Sequence, residues 1–169
     1  MGGRGRRIVI MGSKSDLEFA RRIGGFLERE GFTVKCEYDV ASAHRTPDVL
    51  LEKLKKYESS GGNLVYITVA GLSDALSGVV AGYTKHPVIA CPPDLDRYGW
   101  IKAFSSAMTP KGVAVLLATN PENAALAAVE ILALSDNSLY TEIENYKRRR
   151  RESTIRAAEE VKGLEGRNK

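Results

Sequence analysis

The sequence predicts an α/β fold, a three-layer sandwich built on a central parallel sheet of five strands, with a long helix at its C-terminal end. Short apolar runs, typical of strands buried on both faces, alternate with stretches that carry apolar residues at helical spacing. The predicted strands lie at 8–11, 32–40, 64–70, 88–91 and 113–118. Alternation of this kind implies right-handed crossovers and helices on both faces. Five strands favour the flavodoxin-like order, with a binding crevice at the carboxyl ends of the strands.

The predicted helices have recognisable signals at their ends. The first helix follows Asp16, a candidate N-cap, and stops at Gly31. Gly24 and Gly25 in its middle indicate that another backbone packs closely there. The remaining helices of the domain are predicted to begin at or near Pro47, Gly71, Tyr98 and Pro121.

Length and composition fit one globular domain. The chain has 169 residues, of which 43% are hydrophobic and 27% charged, which is enough for a substantial core. We divide it into a basic N-terminal segment (1–7), a flavodoxin-like domain (8–134) and a C-terminal helical extension (135–169). No apolar run approaches the roughly 20 residues of a membrane span, and no signal-peptide cleavage pattern is present. The sequence thus predicts a cytoplasmic protein that has no membrane partner.

The distribution of charge and the placement of the cysteines argue against two further kinds of protein, nucleic-acid-binding and disulfide-bonded. The formal net charge of +4 comes from the ends of the chain, because residues 8–134 carry 13 basic and 14 acidic side chains. A nucleic-acid-binding face is expected to involve the folded body, so this distribution argues against a nucleic-acid partner. Cys36 and Cys91 lie in apolar, strand-like runs without CxxC spacing, which favours buried, reduced thiols.

The loop after the first strand, Gly12-Ser13-Lys14-Ser15-Asp16, leads into a helix. Helix starts present unpaired N–H groups and a positive dipole end, and Ser13 and Ser15 add hydroxyls, so the loop suits a phosphate group. Asp16 would repel phosphate but could accept hydrogen bonds from ribose hydroxyls. The loop has neither a Walker A nor a GxGxxG pattern, and a ligand-free Ser/Asp cap is the alternative interpretation.

The loop after the second strand carries the sequence SAHRTP. His44 can exchange a proton near neutral pH, and Arg45 can grip an anion. Thr46 and Pro47 fit the N-cap and the first position of the next helix. Two plainer interpretations stay open: His44 and Thr46 only cap the helix, and Arg45 is an exposed charge at its start.

The loop after the third strand is rich in small residues. Ala70, Gly71 and the 75–78 stretch, ALSG, offer free amides and a wall against which a flat ring could lie. Close packing of a helix is the alternative explanation. No metal-ligand cluster and no Ser-His-Asp arrangement stands out, so any proton chemistry rests on His44.

These motifs together resemble a known family. MGSKSD, SAHRTP, AG-x-S-x-ALSG and PVIACPP follow the first four strands or lie within them, and residues 7–134 are similar to the aminoimidazole ribonucleotide carboxylase and mutase family. The resemblance implies a flavodoxin-like domain, a homo-octamer, and carboxylation of a ring carbon in purine biosynthesis without biotin, metal, ATP or any other cofactor. The implied small-molecule substrates are aminoimidazole ribonucleotide and carbon dioxide.

The resemblance also implies roles for individual residues. His44 is the expected general acid and base. Ser13, Asp16 and Arg45 are expected to hold the ribose phosphate, and Ser42, Gly71 and Ser73 to shape the ring and carboxylate site. The full set of implied substrate-binding residues is Gly12, Ser13, Ser15, Asp16, Ser42, Ala43, Arg45, Ala70, Gly71 and Ser73.

Two activities occur in this family, and the sequence favours one of them. Mutases, which move a carboxylate from nitrogen to carbon, typically carry a second histidine in the stretch that corresponds to 71–78, and this chain has none there. The ALSG run, the ACPP strand end and the C-terminal extension resemble the enzymes that use carbon dioxide. Arg45, Leu72 and Asp74 depart from that pattern, which usually has Lys, Arg and Asn. The mutase and a non-catalytic ribonucleotide-binding module remain as alternatives.

The C-terminal extension is predicted to form one polar helix over 138–164. Leu139, Ile143 and Tyr146 give its first turns an apolar side, and a helix of this kind has to dock on its own core or on a neighbouring subunit, which the resemblance favours. The basic run 147–151 is interpreted as a solvated face with acidic residues of the same helix within reach, rather than as an RNA patch.

Overall fold

The computed structural model describes residues 6–167 and contains one parallel five-stranded sheet in the order β2-β1-β3-β4-β5. This is the flavodoxin-like order expected from the sequence. The strands are β1 (Arg6–Met11), β2 (Cys36–Val40), β3 (Leu64–Val69), β4 (Val88–Ala90) and β5 (Leu116–Leu117). Because β1 already begins at Arg6, the sheet includes the last two residues of the segment 1–7, and residues 1–5 lie outside the described part of the chain.

Seven α-helices accompany the sheet in the described residues. They are α1 (Leu17–Arg29), α2 (Pro47–Ser59), α3 (Ala75–Tyr83), α4 (Leu95–Tyr98), α5 (Trp100–Ala107), α6 (Pro121–Ala133) and α7 (Ser138–Arg167). The core has two halves, since alternate residues of the strands point to opposite faces. Val9 packs with α1, α6 and the start of α7, whereas Ile8 packs with α2 and α3.

Two strands are each four residues shorter than the sequence predicts, and β3 and β4 each lack one predicted residue. The predicted second strand begins at 32, but β2 begins at Cys36, because the Thr33 N–H and hydroxyl donate to Glu142 of α7, at 3.0 and 2.7 Å. The predicted fifth strand begins at 113, but Val113 is drawn into a turn by a hydrogen bond from its N–H to the carbonyl of Pro110. Leu116 and Leu117 pair with Ile89 and Ala90 of β4.

The helix predicted to begin near Tyr98 is interrupted. Gly99 has a φ of +57°, which ends α4 and lets α5 start in a new direction. The helix predicted near 71 begins only at Ala75, because residues 71–74 form a turn of their own. Gly24 packs closely against its surroundings, as expected, but its neighbour is the Tyr38 side chain and not a backbone: a Cβ at Gly24 would collide with the Tyr38 hydroxyl.

The first turns of α7 dock on the core of their own chain, which corrects the expectation of a neighbouring subunit for this part of the helix. Leu139 and Ile143 are buried, and the ring of Tyr146 lies edge-on to Phe26 with 5.5 Å between centroids. Beyond residue 150 the described side chains of α7 are exposed.

The basic run finds its acidic partners on other elements. Lys147 Nζ lies 2.6 Å from Glu130 of α6, and Arg149 donates to the carbonyl oxygen and carboxylate of Glu30 at the end of α1. Glu142, one of the acidic residues of the same helix that lie within reach of the run, instead binds Thr33. The run therefore helps to hold α7 on the body of the protein.

Two further expectations concern thiols and membranes. Cys91 is buried, whereas Cys36 is only half-buried, and neither cysteine forms a disulfide in the part of the chain that the structure describes. Burial raises the pKa of Cys91 to about 12, so its thiol stays protonated.

Among residues 6–167, no helix is both long and apolar enough to cross a membrane.

Candidate active site

The sheet register brings the first three loops to the same level. Met11 pairs with Val40 of β2 on one side and with Val69 of β3 on the other. The pairing continues one residue further, since the Gly12 N–H donates to the Val69 carbonyl at 2.9 Å and the Ala41 N–H to the Met11 carbonyl at 3.0 Å. The chain thus leaves the sheet at one edge in all three places.

A cavity of about 620 Å³ lies at this edge, and every site residue named from the sequence lines it. The first loop contributes Gly12, Ser13, Ser15 and Asp16, the second Ser42, Ala43, His44 and Arg45, and the third Ala70, Gly71 and Ser73. The lining also includes Leu72, Leu76, Pro93, Asp94 and Arg97. The structure therefore brings the predicted residues together around one space.

His44 lies at the tip of a turn that closes on itself. The Thr46 N–H donates to the Ser42 carbonyl at 2.9 Å, and the Thr46 hydroxyl oxygen accepts from the Ser42 N–H at 3.1 Å. Thr46 occupies the N-cap position of α2, but its side chain caps no N–H of the helix, which differs from the expectation. The turn leaves the His44 side chain exposed at the cavity.

A polar cluster between β2 and α2 stabilises the end of the strand that leads into the His44 turn. The Asp39 carboxylate accepts hydrogen bonds from Lys53 Nζ and, at 2.5 Å, from the Tyr57 hydroxyl. Burial alone would raise the pKa of Asp39, but these hydrogen bonds outweigh it and lower the pKa. Asp39 is only two residues before Ala41, so the cluster anchors the strand end from which the His44 turn begins.

The first loop presents hydroxyls and a helix start to the cavity. Ser13 caps a one-turn 3-10 helix (Lys14–Asp16), and its Oγ accepts from the Ser15 N–H at 3.3 Å and from the Ser15 hydroxyl at 2.9 Å. Asp16 holds the N-cap position of α1 but, unlike the expectation, makes no capping hydrogen bond with its side chain. Its carboxylate accepts a hydrogen bond from the Ser13 backbone and lines the cavity.

The environment of Asp16 disfavours its charged form. Burial is the largest influence and raises the pKa of Asp16, and the nearby Asp94 raises it further. A hydrogen bond from the Ser13 backbone and the charge of Lys102 act in the opposite direction without cancelling the effect. A ligand that donates hydrogen bonds to this carboxylate would stabilise its charged form.

The third loop is held by a residue that the sequence analysis missed. Asp94 Oδ2 accepts from the Leu72 N–H at 2.8 Å, and Leu72 has a φ of +55°, an unusual value for a residue with a branched side chain. A Cβ at Gly71 would lie 3.3 Å from the same Asp94 oxygen, so glycine lets the carboxylate approach the turn. Asp94, Pro93 and Arg97 follow β4, the strand beside β3, and the topology alone could have pointed to this fourth loop.

Asp74, the unusual carboxylate of the third loop, faces away from the cavity. Its Oδ1 accepts from the Ser77 N–H at 3.0 Å and its Oδ2 from the Ser77 hydroxyl at 2.6 Å, so that it caps α3. It is buried and does not line the cavity. The carboxylate would therefore not oppose an anionic group in the site.

The arrangement can bind a phosphate and move a proton. The start of α1, the two serines and Arg45 offer an anion site, and His44 lines the same cavity. Within residues 6–167, no group of three His, Cys, Asp or Glu side chains is placed to hold a metal ion.

Comparison with known proteins agrees with this geometry. Residues 7–153 match the family model described as AIR carboxylase. A phosphoribosylaminoimidazole carboxylase of Archaeoglobus fulgidus is 41% identical over 93% of this chain and 85% of its own length. An N5-carboxyaminoimidazole ribonucleotide mutase of Methanocaldococcus jannaschii is 38% identical over 92% of this chain and 97% of its own. The crystal structure of Treponema denticola PurE superposes with a TM-score of 0.87 at 34% identity, covering 94% of this chain and 99% of the other. The chain belongs to the AIR carboxylase family.

Proposed function

We propose that this protein carboxylates 5-aminoimidazole ribonucleotide with carbon dioxide, without ATP, and forms 4-carboxy-5-aminoimidazole ribonucleotide for purine biosynthesis. The observation that carries the proposal is the meeting of an exposed histidine, a hydroxyl-rich helix start and an arginine around one cavity. The family membership and the name of the Archaeoglobus relative support it.

The chemistry needs little more than positioning and one base. The ring amino group makes the unsubstituted ring carbon electron-rich, so that this carbon attacks carbon dioxide, a C–C bond forms and one C=O electron pair moves onto oxygen. Holding both reactants in the cavity supplies the effective concentration that dilute carbon dioxide lacks. The ring carbon then carries both hydrogen and carboxylate, and transfer of its proton to His44 restores the aromatic ring.

Each wall of the cavity has a task in this proposal. The phosphate is bound by Ser13 and Ser15 before α1 and by Arg45 before α2, and the ribose hydroxyls donate to Asp16. The ring and the new carboxylate lie against the remaining small residues of the lining, which are Gly12, Ser42, Ala43, Ala70, Gly71 and Ser73. No cofactor takes part in these steps.

The second candidate activity is that of the mutase. The relative from Methanocaldococcus carries that name at 38% identity, so the family contains both activities at a similar distance from this chain. The stretch 71–78 of this chain has no histidine to assist transfer from nitrogen, which favours direct carboxylation.

One assay separates the candidates. The purified protein is given aminoimidazole ribonucleotide with bicarbonate and no ATP, and separately the N5-carboxylated compound, and the carboxylated product is followed by absorbance. We expect product from the first mixture, formed faster when carbonic anhydrase maintains the carbon dioxide supply. Product from the second compound alone would assign the mutase, and activity with neither would leave a ribonucleotide-binding module.

Asp16→Asn is expected to stabilise the free protein at neutral pH while it weakens substrate binding. Because the folded-state pKa of Asp16 is raised, its ionisation costs stability above that pKa, and the cost disappears as the pH falls towards the value of the unfolded chain. The melting temperature should rise by roughly 2 °C at pH 7, with a shrinking gain at lower pH. Thermal melts across this range, with Asp96→Asn as an exposed control, measure the effect, and an equal gain at every pH would contradict it.

We propose further that the protein assembles as a homo-octamer in the cytoplasm. Trp100 and Phe104 of α5 and Met108 at its C-cap form a stripe at helical spacing, with 75%, 56% and 77% of each residue exposed, and Ile101 lies beside them. An apolar patch of this size suits a contact with another copy of the chain. In this assembly residues 8–134 form the catalytic domain, and the exposed residues 151–164 of the extension 135–169 remain available to a neighbour.

Phe104→Glu is expected to break the assembly, because a carboxylate on the stripe would have to be buried without a partner. Light scattering should give eight chain masses for the natural protein and a smaller species for the variant. Leu134→Glu, which changes an equally apolar exposed side chain at the end of α6, serves as the control. An unchanged octamer in Phe104→Glu would show that the stripe lies outside the contact.

A further inference from the structure

A single lysine is enclosed beside the candidate active site. Lys102 of α5 is only 2% exposed, and its Nζ makes no hydrogen bond within the described residues. Buried ammonium groups are costly unless anionic groups compensate them. Lys102 is not part of the cavity lining that the proposed function uses.

The charges of three carboxylates act on this lysine. Burial lowers the pKa of Lys102, while the charges of Asp74, Asp94 and Asp16, in falling order, raise it. Asp94 Oδ1 is itself buried and has no hydrogen-bond partner within the described residues. Lys102 also lines a second cavity, of about 330 Å³, together with Leu72, Ser73 and Ser105, which places the lysine beside the third loop.

The same aspartates shape the turn 71–74. Asp94 Oδ2 holds the Leu72 N–H at 2.8 Å. At the other end of the turn, the Asp74 N–H donates to the hydroxyl of Ser105 on α5 at 2.9 Å, and the Asp74 side chain caps α3 through Ser77. Ser105 lies one helical turn after Lys102, so α5 supports the turn through both residues.

We propose that Lys102 is a positioning residue of the active site, whose buried ammonium holds the carboxylates of Asp74 and Asp94 and thereby fixes the turn that carries Gly71 and Ser73. Without the cation, two carboxylates in a poorly solvated region would repel each other. Asp94 would then turn towards solvent and release the Leu72 N–H, and the wall against which the ring lies would loosen. The kinetic part of this inference rests on the proposed function.

The test compares Lys102→Met with the double variant Asp74→Asn/Lys102→Met. Methionine keeps the apolar stem, so a lysine that only packs would leave kcat/KM unchanged. We expect Lys102→Met to lower kcat/KM about tenfold to a hundredfold through misplacement of the ring wall. The double variant, which removes the strongest unbalanced carboxylate together with the cation, should recover a large part of the loss. Lys111→Met, an exposed lysine beyond the end of α5, should equal the natural protein.

A thermal double-mutant cycle without substrate tests the same coupling separately from catalysis. The double variant should melt about 2–4 °C above the temperature obtained by adding the losses of Lys102→Met and Asp74→Asn. If the natural protein proves inactive with both ribonucleotides, the proposed function fails, while this cycle still decides the role of Lys102. Unchanged kcat/KM in Lys102→Met, additive melting losses, or a double variant that does not fold would each overturn the inference.

Discussion

Replacement of His44 by asparagine is expected to lower kcat by about 10²–10⁴-fold while ribonucleotide binding stays within twofold of the natural protein. Asparagine fits the turn and keeps polar atoms at the cavity, but it cannot accept the proton that the ring carbon must lose. The phosphate and ribose contacts lie on the other loops and on Arg45, so they do not depend on the imidazole. Steady-state kinetics and calorimetric titration with the ribonucleotide measure the two quantities separately.

The matched control for this variant is His86→Asn. His86 is the other histidine of the chain and lies before β4, away from the cavity, with its Nε2 3.6 Å from Glu58. It should turn over at the natural rate. Near-normal turnover in His44→Asn would remove His44 from the role of base and leave the plainer interpretation, a residue of the helix start.

The layout of the fold was predictable because it depends on periodic signals. Apolar runs such as 64–70 are long enough to mark buried strands, and the alternation with helices restricts the order in which the strands can pair. The exact ends of elements depend on distant partners. Glu142 takes the Thr33 N–H away from β2, and neither residue signals the other in the sequence. Gly99, a visible helix breaker, could have revealed the division between α4 and α5.

The candidate site was predictable to the extent that it is local. Three loops carry motifs of their own, and the parallel topology places them at one edge. Asp94 escaped notice because its partner is a backbone N–H 22 residues earlier, and a lone Asp after two prolines is typical of an ordinary turn. Lys102 reads as an exposed helix residue, and only the packing of α5 against α3 reveals its burial.

Asp74 departs from the family pattern, but its side chain is placed where it does not disturb the site. A carboxylate in the third loop would oppose a carboxylated product if it faced the cavity. The capping geometry at α3 turns it inward, where Ser77 and the charge of Lys102 meet it. Under our proposal for Lys102 the two residues act together, so that a substitution of either has to be judged together with the other.

Replacement of Arg45 by methionine is expected to raise the KM for the ribonucleotide about 10–100-fold, the usual size of a lost charge-assisted contact to phosphate, with kcat changed much less. Arg45 is exposed at the cavity near the start of α2, where a positive charge meets the positive end of the helix dipole. Methionine should therefore leave the melting temperature unchanged or slightly higher.

Lys14→Met, which removes an exposed charge of the first loop outside the cavity lining, serves as the control. Rising salt should weaken substrate binding more in the natural protein than in Arg45→Met, because the screened contact is already missing from the variant. An unaltered KM with an altered melting temperature would instead identify Arg45 as a charge of the helix start alone.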